Sequence, residues 1–159
     1  MLSEYNIRIV QEPFCDFLEY LAIVHPHLLF GKNSKVTKNT LLRFNMIRIR
    51  KELYQNVMKK HTWLPLPDID LALKTGNQVI DYRIQGGSPI AVGNALYQWN
   101  NGKIDGILVT SCWGCDNGLI EESLLRHEKN IPFYFYYDDA TPIDERRIQS
   151  YAFRLNRKK

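Results

Sequence analysis

Short apolar runs and longer periodic segments alternate along the chain, and this alternation predicts the order of its elements. Two continuous runs, 104–110 and 131–137, are rich in β-branched or aromatic residues and predict buried strands. The alternating segment 6–11 predicts a first strand, and 79–84 is a weaker candidate for a fourth. These runs predict a sheet of three to four strands.

Apolar residues at spacings of three and four predict the helices between the strands. The predicted helical segments are 14–29, interrupted near Pro26, and then 36–61, 68–82, 90–100, 118–128 and 141–156. On the long segment 36–61, basic residues such as Arg48 and Arg50 are expected on the solvent-facing side. Asp68 is the expected cap of the helix that follows it.

Strands separated by helices predict an α/β fold in which the strands run parallel. We therefore expect one domain over residues 1–159, with a small Rossmann-like parallel sheet flanked by helices. In such sheets, sites form at the carboxyl ends of the strands. The loop that follows the 104–110 run is therefore the expected location of a functional site.

Composition narrows the class of protein further. Hydrophobic content of 45% and charged content of 24% are ordinary for a globular chain, and the net charge of +4 is dispersed apart from the tail Arg154–Lys159. A solvated helix end explains that tail better than a nucleic-acid site, so we expect no nucleic-acid partner. No apolar run approaches the roughly 20 residues of a membrane span. Without an export signal, the three cysteines predict a reducing cytoplasm.

The loop after the 104–110 run holds two thiols, in the sequence Cys112-Trp113-Gly114-Cys115. This spacing is compatible with a thiol–disulfide redox couple or with ligation of zinc or an iron–sulfur cluster. A four-ligand metal site needs further ligands, and no second two-spaced pair supplies them. Two small buried side chains are an equally good interpretation. Spacing alone leaves these alternatives open.

Three other features are weaker candidates. Cys15 follows the predicted first strand and is expected to be a buried, inert thiol. Asp138 and Asp139 end the second apolar run, where capping of the next helix is favoured over acid–base or metal chemistry. The loop Gly86-Gly87-Ser88 lacks a phosphate-binding fingerprint and is expected to be a plain turn.

Three segments taken together resemble a known family, the D-component family of 2-hydroxyacyl-CoA dehydratases. They are Gly102–Asp116, Asn130–Asp138 and Asp144–Tyr151. The family includes subunits of 2-hydroxyglutaryl-CoA dehydratase and benzoyl-CoA reductase, and the likeness is to the carboxyl-terminal lobe. Asn130 replaces a usual glycine, and Ser150-Tyr151 stands where Ala-Phe is usual.

The resemblance implies a function in anaerobic metabolism. Family members are lyases that remove water from a 2-hydroxyacyl-CoA by radical chemistry, after an ATP-dependent activator delivers one electron. By position, Cys115 would ligate a [4Fe-4S] cluster, and Cys112 is a less secure match. Ser111, Trp113 and Asp138 surround this loop in sequence or at the next strand end, and they are candidates for substrate contact.

The chain is less than half as long as the D-components it resembles, and no amino-terminal lobe with the other cluster cysteines is present in it. A partner D-component chain or amino-terminal lobe would then supply the remaining ligands. The chain could be a split gene product, a stand-alone relative or a fragment. Two further alternatives are a non-catalytic interaction domain derived from this lobe and a thiol redox protein using Cys112 and Cys115.

Overall fold

The computed structural model describes residues 2–12, 14–30, 36–65 and 68–157, without the side chains of residues 29–30, 36–40 and 42–43. After a 3-10 turn at Leu2–Tyr5 come seven helices and two strands in the described ranges. They are α1 Phe14–Val24, α2 Pro26–Phe30, α3 Val36–Met58, α4 Ile69–Gly76, α5 Ser88–Asn100, β1 Ile107–Cys112, α6 Asp116–Leu125, β2 Phe133–Asp138 and α7 Glu145–Asn156. None of the described helices is both long and apolar enough to cross a membrane.

The two strands form a parallel sheet, with α6 as the connection between them. Ile107 lies opposite Phe133 and Cys112 lies opposite Asp138, so both strands end at the same edge. The α/β class and the parallel direction agree with the sequence analysis. The predicted three to four strands do not, because the described residues contain only these two.

Each face of the sheet is covered by helices. One face packs its alternate side chains, including Ile107 and Val109, against apolar residues of α5 and α6. On the other face, Tyr134 packs against Ile148 and Tyr151 of α7, and the 3-10 turn adds further contacts. Burial on both faces explains why the strands read as continuous apolar runs.

The predicted first strand at 6–11 is wrong. Asn6 adopts a left-handed backbone conformation (φ 57°), and residues 7–11 have no regular structure. Ile9 is mostly exposed, so the alternating pattern does not mark a buried face here. Alternation specifies which side chains share a face, but it does not provide a neighbouring strand.

The candidate strand at 79–84 is a series of turns and bends. The buried hydroxyl of Tyr20 on α1 donates to the carbonyls of Tyr82 (3.0 Å) and Ile84 (2.6 Å). Arg83 forms an ion pair with Asp81 two residues earlier. Because these contacts take up the carbonyls and bend the chain, the segment does not join the sheet.

The helix α3 is attached to α1 through buried charges. Arg50 lies 3.1 Å from Asp16 and 3.0 Å from Glu19, and both carboxylates are almost completely buried. The expectation that Arg50 faces solvent is therefore wrong, although Arg48 is exposed as predicted. Acidic residues inside α1 provide the partner that helical periodicity alone could not indicate.

Candidate functional site

The two thiols lie at the carboxyl end of the sheet. Cys112 is the last residue of β1, and Cys115 is the N-cap of α6. A tight turn joins them, closed by a hydrogen bond from the Cys115 N–H to the Cys112 carbonyl (3.2 Å). Gly114 takes a positive φ of 77°, which glycine adopts without strain. The turn thus carries the chain directly from strand to helix.

The start of α6 differs from the prediction. The helix was predicted to begin at residue 118, but it begins at Asp116. An acidic residue in the first turn is favourable there because it faces the positive end of the helix dipole. Cys115 is consequently the N-cap residue of α6 and lies directly at the helix N-terminus.

The surroundings of Cys115 stabilise its thiolate. The Ser111 hydroxyl, and then the backbone N–H groups of Gly118 and Asn117, lower the pKa of the Cys115 thiol. The Cys112 side chain makes a smaller contribution in the same direction. Cys112 is exposed and Cys115 is partly buried, and both are free thiols. A stabilised, accessible thiolate is suited to act as a metal ligand or as a nucleophile.

The first turn of α6 packs tightly against both strands. A Cβ atom at Gly118 would lie 2.6 Å from the Ser111 Oγ, so only glycine permits this approach. From β2, the Tyr137 hydroxyl donates to the Gly118 carbonyl (3.0 Å) and to Glu122 (2.5 Å). The helix start is therefore held against the strand ends from both sides.

The two other candidates border the thiol turn. Trp113 is 72% exposed, and its ring meets Tyr137 edge-on at a centroid distance of 6.1 Å. Its backbone N–H donates to the Asp138 carbonyl (3.2 Å). Asp138 and Asp139 do not cap α7, which contradicts the favoured interpretation: their carboxylates accept from the N–H groups of Ala140 and Thr141 in the turn. Asp144 caps α7 instead.

Ser111, Cys112, Trp113, Cys115 and Asp138 thus lie together at one edge of the sheet. Cys15 lies on α1 and has a different hydrogen-bond partner. Its thiol donates to the Asp16 carboxylate at 3.6 Å. Burial is the main reason that its pKa is raised. Within the part of the chain that is described, no group of three or more His, Cys, Asp or Glu side chains is placed to hold a metal ion.

One residue that sequence analysis did not select is Asn117. Its side-chain oxygen accepts hydrogen bonds from the Gly87 N–H (3.2 Å) and the Ser88 hydroxyl (3.0 Å). The glycine-containing loop before α5, expected to be a plain turn, thereby contacts the thiol loop. No periodic pattern links residues 29 and 30 positions apart, so only the unusual Gly-Gly-Ser sequence hinted at a close approach.

Comparisons of this chain with protein-family models, with curated proteins and with solved structures give no match. The site itself defines a class of chemistry: two neighbouring thiols, one stabilised as a thiolate at a helix N-terminus, at the carboxyl edge of a parallel sheet. The chain is an α/β protein with a candidate thiolate site.

Proposed function

We propose that this chain is a lobe of a 2-hydroxyacyl-CoA dehydratase-like enzyme and donates cysteine thiolates to an iron–sulfur cluster. The observation that carries the proposal is the position of Cys115 as the N-cap residue of α6, where Ser111 and two backbone N–H groups lower the pKa of its thiol. Metal ligation requires the deprotonated thiol, so a site that favours the thiolate favours binding. The sequence resemblance supplies the identity of the cluster.

The residues present fit part of a [4Fe-4S] site. Cys115 and Cys112 offer two sulfur ligands at an exposed edge, whereas such clusters use about four protein ligands. The proposal assigns the others to a partner D-component chain or an amino-terminal lobe. When bound, the cluster would supply one-electron chemistry for the dehydration of a 2-hydroxyacyl-CoA, with the electron coming from an ATP-dependent activator.

Under this proposal, the chain's own residues bind and orient. Cys115 holds the cluster, and Ser111 and the helix N-terminus balance the charge of its sulfur. Trp113 and Asp138 border the same edge, where an acyl-CoA would approach. The exposed Trp113 ring offers an apolar surface to such a ligand. Activity would be that of a hydro-lyase and would require the partner, in the cytoplasm.

Anaerobic reconstitution of the full chain tests the proposal. The protein is incubated with iron and sulfide, with an excess of a small thiol to occupy iron positions that the chain does not ligate. We expect the wild type to acquire the visible absorbance of an iron–sulfur centre. Cys115→Ser should lose it, and Cys112→Ser should weaken it.

Cys15→Ser is the matched control, because Cys15 is bonded to Asp16 on α1. It should retain the absorbance of the wild type. The proposal fails if the wild type acquires no cluster, or if all three serine variants bind iron equally well. A folded chain that binds no iron would favour the non-catalytic interaction domain.

A thiol redox couple is the second candidate, favoured by the contact between the Cys112 and Cys115 side chains. Here the Cys115 thiolate attacks a substrate disulfide, forms a mixed disulfide and releases one substrate thiol. Cys112 then attacks the Cys115 sulfur, forms the Cys112–Cys115 disulfide and releases the second substrate thiol. The chain's two thiols lose two electrons and two protons, and the substrate disulfide becomes two thiols. Reversible loss of two hydrogens by mass spectrometry, abolished in Cys112→Ser, would support this candidate.

A further inference from the structure

The start of α5 is capped by a residue of another helix. Gly87 occupies its N-cap position and makes no side-chain hydrogen bond of its own. The Asn117 side chain of α6 binds this helix start instead. The Asn117 side-chain oxygen accepts from the Gly87 N–H at 3.2 Å and from the Ser88 hydroxyl at 3.0 Å. The oxygen satisfies the N–H of the N-cap residue, as the N3 side chain of a capping box does, but it comes from about 30 residues further along the chain.

The Asn117 side chain packs tightly against Gly86. Gly86 has a φ of 123°, and a Cβ atom there would lie 2.8 Å from the Asn117 Oδ1. Ser88 is only 1% exposed, so its hydroxyl depends on a protein partner. Replacement of Asn117 by an apolar residue would remove the nearer acceptor and leave the Ser88 hydroxyl only the Asn117 backbone carbonyl, at 3.4 Å.

Asn117 also belongs to the turn that surrounds the thiols. Cys115 is the N-cap residue of α6, and the backbone N–H groups of Asn117 and Gly118 help to lower the pKa of its thiol. The Tyr137 hydroxyl fixes the Gly118 carbonyl from β2, and the Asn117 side chain fixes the same turn from the side of α5. The first turn of α6, which follows Cys115 directly, is thus held by two anchors.

We propose that Asn117 is the positioning residue of the thiolate site: its side-chain oxygen anchors the first turn of α6 to the start of α5 and so fixes the helix N-terminus that begins at Cys115. This inference rests on the proposed function for the role of the sulfur, but the anchoring itself is independent of it. Gly87 and Ser88 donate the hydrogen bonds to the Asn117 side chain, and Gly86 leaves room for it because glycine has no Cβ atom.

Three variants of the full chain separate this role from general stability. Asn117→Ala removes the acceptor. Asn117→Asp keeps a side-chain oxygen in the same place and should restore the anchor. Asn101→Ala removes a comparable hydrogen bond at the other end of α5, from the Asn101 side chain to the Tyr97 carbonyl (2.7 Å), and serves as the control. Ser88→Ala removes one donor only and is the milder variant if Asn117→Ala does not fold.

Two readouts are compared, backbone amide hydrogen exchange across residues 115–121 and the visible spectrum after iron and sulfide reconstitution. In Asn117→Ala, we expect exchange about fivefold faster or more, as for the loss of a helix cap, and a weakened or shifted spectrum. Asn117→Asp and Asn101→Ala should match the wild type in both readouts. Ser88→Ala should fall between them.

Unchanged exchange in a folded Asn117→Ala would overturn the inference. So would an Asn117→Asp variant that melts like the wild type yet exchanges like Asn117→Ala, because the oxygen would then not be the anchor. If the wild type itself acquires no chromophore, the proposed function fails, and the exchange comparison alone decides whether Asn117 anchors the turn.

Discussion

The helices α3 and α7 are held to the rest of the structure in different ways. In α7, Ile148 and Tyr151 are at most 5% exposed and pack on the sheet. In α3, Ile49 and Leu53 are 57% and 60% exposed, and the helix contacts α1 through the buried charge of Arg50. One helix is therefore fixed by apolar burial and the other by an ion pair.

Apolar residues at helical spacing therefore contribute differently to the stability of α3 and of α7. Apolar burial tolerates small changes of shape at a graded cost. A buried ion pair is nearly neutral when it is complete, but it is strongly destabilising when one partner is removed. The two regions should consequently respond to different kinds of substitution.

The largest expected effect is that of Arg50→Met. It leaves Asp16 and Glu19 buried without a cation, and the loss of one partner from such a group costs about 3–5 kcal/mol. We expect the free energy of unfolding, measured by urea denaturation, to fall by that amount. The deficit should shrink at acidic pH, because protonation of the carboxyls removes the uncompensated charge.

Arg48→Met is the matched control on the same helix, since Arg48 pairs with Glu52 on the exposed side. It should cost no more than about 0.5 kcal/mol. The variant Arg50→Met/Asp16→Asn/Glu19→Gln should recover much of the loss. Equal effects of the two arginine variants would mean that α3 is not held by its charge.

A pair of isoleucines tests the apolar side of the comparison. Ile148→Ala on α7 removes a side chain that is 2% exposed and should cost about 2–4 kcal/mol through lost burial and a cavity. Ile49→Ala on α3 removes an exposed side chain and should change stability by no more than about 0.5 kcal/mol. Alanine even favours the helix slightly over isoleucine.

Denaturation midpoints of the two variants, with unchanged slopes, check this prediction. If Ile49→Ala were as destabilising as Ile148→Ala, the exposed side of α3 would be covered in solution, and the contrast between the two helices would disappear.

The parts of the fold that follow from local pattern were predictable. Asp68 does cap α4, and the chain does break before Pro26. The two strands were placed with shifts of a few residues at their starts, since Ile104 packs against the core without joining β1. Segment 6–11 was wrongly predicted to be a strand. A strand must pair with a neighbouring strand, and the alternation of apolar and polar residues does not specify that neighbour.

For the site, sequence placed both thiols at the strand end, where the structure has them. The predicted start of α6 was two residues late, at 118 instead of Asp116, because the Gly, Asp and Asn residues of 114–118 favour a turn. Sequence patterns also did not predict the contact between Asn117 and Ser88, or the burial of Asp16. These depend on packing between distant segments, which hydropathy does not encode.

The smallest expected effect concerns a carboxyl group outside both helices, on α6. Burial, and secondarily the nearby charge of Glu12, raises the pKa of Glu121 on α6 to about 7. The folded protein thus keeps this carboxyl protonated at pH values where the unfolded chain has released the proton. The associated stability is fully present below the unfolded pKa and is lost as pH rises through about 7.

Glu121→Gln should remove this dependence. Above pH 7, we expect the variant to exceed the wild type by roughly 1–2 kcal/mol, less than the full shift implies because Glu121 is only partly buried. In acid the two should converge. Glu128→Gln changes the same charge at an exposed turn and should leave the pH profile of stability unaltered. Identical profiles for all three proteins would mean that the Glu121 carboxyl is solvated, and that no acidic contact opposes the docking of α6 near Glu12.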